Sequence, residues 1–130
     1  MSLEVEDFEG KYEVHNISDL EPVLQKRYGH GLNGFWISRD TERYPVISLL
    51  VNNSLATLLY VPNEGHPGFA SVGQSNGLEK EGFTTFCVDT VEQEQEVVNN
   101  QVVPVSAGLL AIYNFFDSKE LPKSIEWIEL

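Results

Sequence analysis

The sequence has few basic residues: eight Lys and Arg stand against twenty Asp and Glu, a formal net charge of −12 over 130 residues. Proteins hold DNA and RNA by displacing counterions with Lys and Arg, so attraction to phosphate is excluded as a binding force. Anionic membranes repel the chain for the same reason. An acidic surface keeps a small protein soluble, and it also speeds the encounter with a basic partner. We therefore expect neither nucleic acid nor membrane as a partner. Whether the negative charge serves solubility or the encounter with a basic partner stays open here.

Cysteine is equally scarce. Cys87 is the one cysteine, which excludes an intramolecular disulfide and a zinc site built from several cysteines. The first thirteen residues carry five acids and one lysine, whereas a secretory signal needs a basic start and an apolar run. Two uncharged segments, 45–63 and 97–116, are interrupted by Asn residues, which are costly in hydrocarbon. We expect a cytoplasmic protein without membrane spans.

The apolar content predicts a single domain over residues 1–130. Hydrophobic residues make up 42% of the chain, which is enough for an ordered core. Apolar or alternating runs predict strands at 8–17, 35–37, 46–51, 54–61, 69–72, 83–88 and 125–128. Most of these strands follow one another without a helix between them. We predict an α+β fold with a mainly antiparallel sheet of about six strands and two helices on one face.

Two segments predict the helices. Ser18 begins a capping box with Glu21, and an apolar stripe follows it. The second helix follows Pro104, with Ser106 as its candidate cap. Its predicted apolar face consists of Leu109, Leu110, Ile112, Tyr113 and Phe116.

The strongest hairpin signal surrounds Asn52-Asn53, because Asn tolerates the positive φ of tight turns. A two-residue loop there pairs Val51 with Ser54 and Ser48 with Thr57. One face of the hairpin then carries Ile47, Leu49, Val51, Ala56, Leu58 and Tyr60. We expect this face to receive the helices.

No catalytic or cofactor motif is present in the sequence. The three histidines, His15, His30 and His66, are far apart, and the glycines form no phosphate-binding loop. Cys87 lies in a predicted strand, without the basic neighbours that activate a thiol. The residues favour a binding protein without a cofactor. Two alternatives stay open: an enzyme of unknown chemistry that uses His66 or Cys87, and an acidic interaction module that forms homo-oligomers through its sheet.

A series of short motifs runs through the second half of the chain. They are Tyr60-Val61-Pro62, Phe69-Ala70-Ser71-Val72-Gly73, Val102-Val103-Pro104-Val105, Phe115-Phe116, Leu121-Pro122 and Ile125-Glu126-Trp127. This series resembles the first-numbered immunity protein family of bacterial polymorphic toxin systems. The opening Phe8-Glu9-Gly10 and the closing Glu126-Trp127-Ile128-Glu129-Leu130 are similar to immunity proteins against cytidine deaminase toxins that act on double-stranded DNA.

The resemblance implies a non-enzymatic inhibitor that binds and neutralises a cognate toxin domain, a protein that we expect to be basic. Many toxins of this family's systems resemble nucleic-acid deaminases, and an acidic inhibitor would occupy their basic substrate groove. We predict a binding set of acidic loop residues with aromatic anchors. The set is Glu79, Glu81, Glu64, Asp40 and Glu42, with Tyr44 and Phe69 as anchors. Glu79 and Glu81 are the stronger candidates, because residues 77–130 carry ten acids against three lysines.

Overall fold

The computed structural model describes residues 2–39, 41–73 and 77–130. The strands are β1 (Leu3–Glu6), β2 (Lys11–Val14), β3 (Leu32–Arg39), β4 (Val46–Asn52), β5 (Leu55–Val61), β6 (Phe69–Val72), β7 (Phe83–Cys87), β8 (Glu94–Val98), β9 (Val103–Pro104) and β10 (Glu126–Glu129). The helices are α1 (Ile17–Leu24) and α2 (Val105–Ser118), and a short 3-10 helix spans Asn99–Gln101.

The strands form two antiparallel sheets. The large sheet has eight strands in the order β10-β6-β5-β4-β3-β1-β2, with β9 paired to one end of β5. Strands β7 and β8 form a separate two-stranded sheet. The α+β class and the antiparallel sheet are therefore confirmed. The prediction of about six strands is too low, because several strands of two to four residues show too little alternation to be recognised.

One of the missed features is a hairpin at the start of the chain, where a single strand over 8–17 was predicted. Strands β1 and β2 pair across a turn that is closed by the carboxylate of Asp7. This carboxylate accepts the backbone N–H groups of Glu9 and Gly10 at 2.9 and 3.1 Å. An Asp that binds the backbone two and three residues ahead reverses the chain. Strand β1 therefore ends before Asp7, and only β2 lies within the predicted strand.

The central hairpin is formed by β4 and β5, but its register differs from the prediction. Val51 pairs with Ala56 and Ser48 with Leu59, so the turn residues are Asn53 and Ser54. The partner of each β4 residue is thus displaced by two positions. A displacement of two leaves every side chain on its predicted face, because the strand period is two. The face that was predicted to receive the helices does contact them.

The predicted cap of α1 is wrong. Asn16 is the N-cap residue, and its side-chain oxygen accepts the N–H of Asp19 at 2.9 Å. Asp19 in turn accepts the N–H of His15 at 3.2 Å. These two hydrogen bonds cap the helix at Asn16, two residues before the predicted cap. Ser18 therefore lies inside the first turn.

The predicted cap of α2 is also wrong, whereas its predicted apolar face is confirmed except at Leu110: Ile112 is buried in the core, and Leu109, Tyr113 and Phe116 pack against it. Its N-cap is Pro104, without a side-chain hydrogen bond. Its buried residues are Gly108, Ala111, Ile112 and Phe115, of which only Ile112 was predicted. Leu110 is 51% exposed. An added Cβ on Gly108 would lie 3.1 Å from the Cβ of Ala56, so the small residue Gly108 lets α2 approach the sheet closely while Ile112 and Phe115 fill the core beside it.

Both helices cover the same face of the large sheet, as predicted. Leu20 and Leu24 of α1 share one core with Ile112 and Phe115 of α2 and with the central strands. We call the opposite side the outer face, and the hairpin β7–β8 that lies on it the outer hairpin. No helix among the described residues is long and apolar enough to cross a bilayer.

Candidate partner-binding surface

The outer hairpin runs across the strands of the large sheet. At its tip, the carboxylate of Asp89 accepts the indole N–H of Trp36 on β3 at 3.2 Å. At its base, the backbone oxygen of Gln101 accepts the hydroxyl of Ser71 on β6 at 2.7 Å. Between them, Asn52 of β4 donates to the Thr85 carbonyl at 2.7 Å. The hairpin is therefore attached at both ends and in the middle.

The two sides of the outer hairpin differ in polarity. Phe86 and Val97 are buried and pack with Leu50 on the outer face. On the other side, Phe83 pairs with Val98, and these side chains are 59% and 36% exposed. Successive strand residues alternate between two sides, so packing one side on the sheet leaves the other to solvent.

Carboxylates accompany this exposed apolar pair. Residues 79–98 contain six acids and one lysine. Four of the acids, Glu79, Glu81, Glu94 and Glu96, are exposed on the hairpin or in the loop before it. We call these four carboxylates together with Phe83 and Val98 the hairpin surface. It includes the two strongest predicted residues, Glu79 and Glu81.

The loop that carries Glu79 and Glu81 is held by the buried side chain of Asn99. Its Nδ2 donates to the Glu79 carbonyl at 2.8 Å, and its Oδ1 accepts the Thr84 hydroxyl at 2.7 Å. Its backbone N–H also donates to the Gly82 carbonyl at 3.0 Å. The sequence predicts no such role, because a buried Asn in an Asn-rich segment looks like any loop residue.

A second group of predicted residues lies in two neighbouring loops at one end of the sheet. Glu42 and Tyr44 follow β3, and Glu64 follows β5. Glu42 contacts Arg39 at 3.4 Å, while the guanidinium of Arg43 lies 5.8 Å from the ring centre of Tyr44. The structure thus brings these three residues to the same end but does not join them to the outer hairpin. Asp40 lies outside the described residues.

The second predicted anchor, Phe69, packs on the helix side. It is half-buried, and its ring stacks on His66 with the ring centres 5.2 Å apart. His66 accepts the N–H of Gly68 at Nδ1, and its Nε2 lies 2.9 Å from the carboxylate of Glu129. A neutral imidazole with an accepting Nδ1 carries its proton on Nε2. His66 thereby ties the loop after β5 to the last strand.

Cys87 is buried beneath the hairpin tip. It is 3% exposed, and its thiol donates to the Val91 carbonyl at 3.5 Å. Burial, with a smaller contribution from Glu94, raises the pKa of the thiol. A raised pKa favours the unreactive thiol over the nucleophilic thiolate. The buried thiol of Cys87 therefore lacks the setting of a catalytic nucleophile. The described residues contain no group of three or more metal-ligating side chains.

The comparison with known proteins bears on the kind of partner. No family model matches the chain. A protein of Burkholderia cenocepacia (strain H111), named double-stranded DNA deaminase immunity protein, is 25% identical over 127 residues. The match covers 96% of this chain and 98% of the relative, so it spans both the helix side and the outer hairpin. The resemblance predicted from the sequence motifs is thus confirmed: over nearly its whole length, this chain is similar to a double-stranded DNA deaminase immunity protein.

Proposed function

We propose that this protein binds a cognate bacterial toxin domain of the DNA deaminase class and neutralises it without catalysing a reaction. The near full-length similarity to a deaminase immunity protein carries this proposal. The charge supports it, because an enzyme that acts on DNA needs a basic substrate groove and this chain has a net charge of −12.

The hairpin surface is the contact that we assign to the toxin. Stable interfaces combine an apolar centre with a polar rim, and aromatic residues often dominate their energy. Phe83 and Val98 supply the apolar centre, and carboxylates of the hairpin and of the preceding loop supply the rim. A partner that covers this surface would place its basic groove against carboxylates in place of phosphates, which excludes DNA.

The binding test uses the purified chain and a candidate deaminase domain that is sought among the genes next to its own. We expect a complex by calorimetry at low salt and dose-dependent loss of deamination of a double-stranded oligonucleotide. Association should slow as salt rises, because exposed charges are screened beyond a distance of about 10 Å at 0.1 M salt. Absence of a complex at low salt overturns the proposal.

Matched variants test the surface. We expect Phe83→Ala to weaken binding about tenfold or more, as for a central aromatic residue. Leu110→Ala is its control, because Leu110 is a similarly exposed apolar residue on α2, on the far side of the sheet. The double variant Glu79→Gln and Glu81→Gln should mainly slow association. If Phe83→Ala and Leu110→Ala bind equally well, the toxin uses another surface.

A further inference from the structure

A groove at the tip of the outer hairpin combines aromatic rings with carboxylates. Its volume is about 320 Å³. We call it the tip groove, and its lining residues are Glu6, Asp7, Phe8, Gly34, Trp36 and Asp89. An added Cβ on Gly34 would lie 3.0 Å from both the Phe8 ring and Leu50, so the absence of a side chain lets these groups pack directly against the backbone of β3 at the wall of the groove.

The carboxylates of the tip groove differ in their exposure and in their hydrogen bonds. Asp7 is buried, and its oxygens accept hydrogen bonds from the turn, Tyr28 and Asn33. Glu6 and Asp89 are exposed. Asp89 adopts a φ of 65°, and one of its oxygens accepts the Trp36 indole N–H. Two exposed carboxylates therefore stand beside an indole whose orientation is fixed.

This lining suits a cation with an apolar stem. Arg and Lys pack their methylene groups on aromatic rings and hold their charge near carboxylates or over the ring face. Among the described residues that line the tip groove there is no Lys or Arg. A neighbouring groove shares Glu6 and Trp36 with the tip groove and is also lined by Lys11 and Arg43. There Lys11 lies 3.8 Å from Glu4. A positively charged side chain that enters the tip groove therefore meets no Lys or Arg among the described lining residues, whereas in the neighbouring groove it would meet Lys11 and Arg43.

A second copy of the chain is a poor occupant. Two copies, each with a net charge of −12, repel one another, and their contact would set carboxylates against carboxylates. A basic toxin domain has the complementary charge. We infer that the tip groove receives an arginine or lysine side chain of the toxin domain, with its stem against Trp36 and its charge beside Glu6 and Asp89. This inference rests on the proposed function, and it extends the contact from the outward side of the hairpin to its tip.

Two charge variants test the tip groove without disturbing its shape. Asp89→Asn keeps an acceptor oxygen for Trp36, and Asn tolerates the positive φ. Glu6→Gln is isosteric and exposed. Each should weaken toxin binding several-fold at low salt and less at high salt, since a rim charge acts through salt-sensitive attraction. The control is Glu21→Gln on α1, which removes the same charge from the helix side.

Trp36 variants test the ring. Trp36→Ala should weaken binding about thirty-fold or more, as expected for an anchor residue, and Trp36→Phe should lose less. Thermal melting checks that each variant folds. If Trp36→Ala does not fold, the Asp89→Asn and Glu6→Gln variants test the tip groove in its place. If the wild-type chain does not bind the toxin domain, the proposed function fails and this inference fails with it. If the wild-type chain binds and the Glu6, Asp89 and Trp36→Phe variants bind as tightly as Glu21→Gln, the tip groove alone is refuted.

Discussion

Replacement of Asn99 by alanine should loosen the loop that carries Glu79 and Glu81. The Asn99 side chain is 6% exposed and joins this loop to the outer hairpin through two hydrogen bonds. One reaches the Glu79 carbonyl and the other comes from the Thr84 hydroxyl. Alanine can form neither bond, and both bonds are partly buried.

The size of the effect follows from these two bonds. A buried hydrogen bond contributes about 1 kcal/mol net, and an unpaired buried partner costs about 1 kcal/mol more. We expect Asn99→Ala to lower the free energy of unfolding by about 2 to 3 kcal/mol. Thr84→Val removes only one of the bonds and should cost about 1 kcal/mol. The double variant should cost less than the sum of the two single variants, because they share that bond.

Urea unfolding and amide hydrogen exchange measure this prediction. Exchange should accelerate in residues 79–98 and stay unchanged in α1 and α2, because the outer hairpin has its own ladder and can open separately. A loss below about 0.5 kcal/mol, which is typical of surface substitutions, together with unchanged exchange in β7 and β8 would refute the reasoning.

Two further predictions concern groups away from the hairpin surface. Asp7→Ala should lower the free energy of unfolding by about 3 kcal/mol in urea titrations, because Tyr28 and Asn33 lose a buried acceptor. Asp7→Asn should cost less, and equal losses would contradict the assignment. Alkylation of Cys87 at about pH 8 should be at least about tenfold slower in the folded chain than in urea, because burial and Glu94 raise the pKa of the thiol and lower the thiolate fraction. Equal rates in the folded chain and in urea would show that the thiol is accessible and that folding does not raise its pKa.

The central strands show that sequence patterns predict the face on which a side chain lies but not the pairing register of the strands. Alternation correctly predicted which face of β4 and β5 receives the helices, although the pairing of Val51 was wrong by two residues. The face depends on the position of each residue within its own strand. The pairing depends on the turn geometry at Asn53, which a sequence motif does not specify uniquely.

The helices show the limit of the same patterns. The predicted apolar face of α2 packs against the core except at Leu110, which is exposed, and the closest approach to the sheet is at Gly108, which was not predicted. How closely a helix approaches is decided by the partner surface, here Ala56, and a hydrophobicity pattern contains no information about it.

The sequence by itself determined the acidic charge, the α+β class and the family resemblance. These properties depend on composition, on short-range periodicity and on motif order. Only the tertiary structure showed that Asn99 holds the loop of Glu79, and that Trp36 and Asp89 form one groove. Trp36 and Asp89 are 53 positions apart in sequence, and their hydrogen bond exists only because the outer hairpin packs across the sheet. Contacts of that kind arise from the packing of whole elements, which no local pattern encodes.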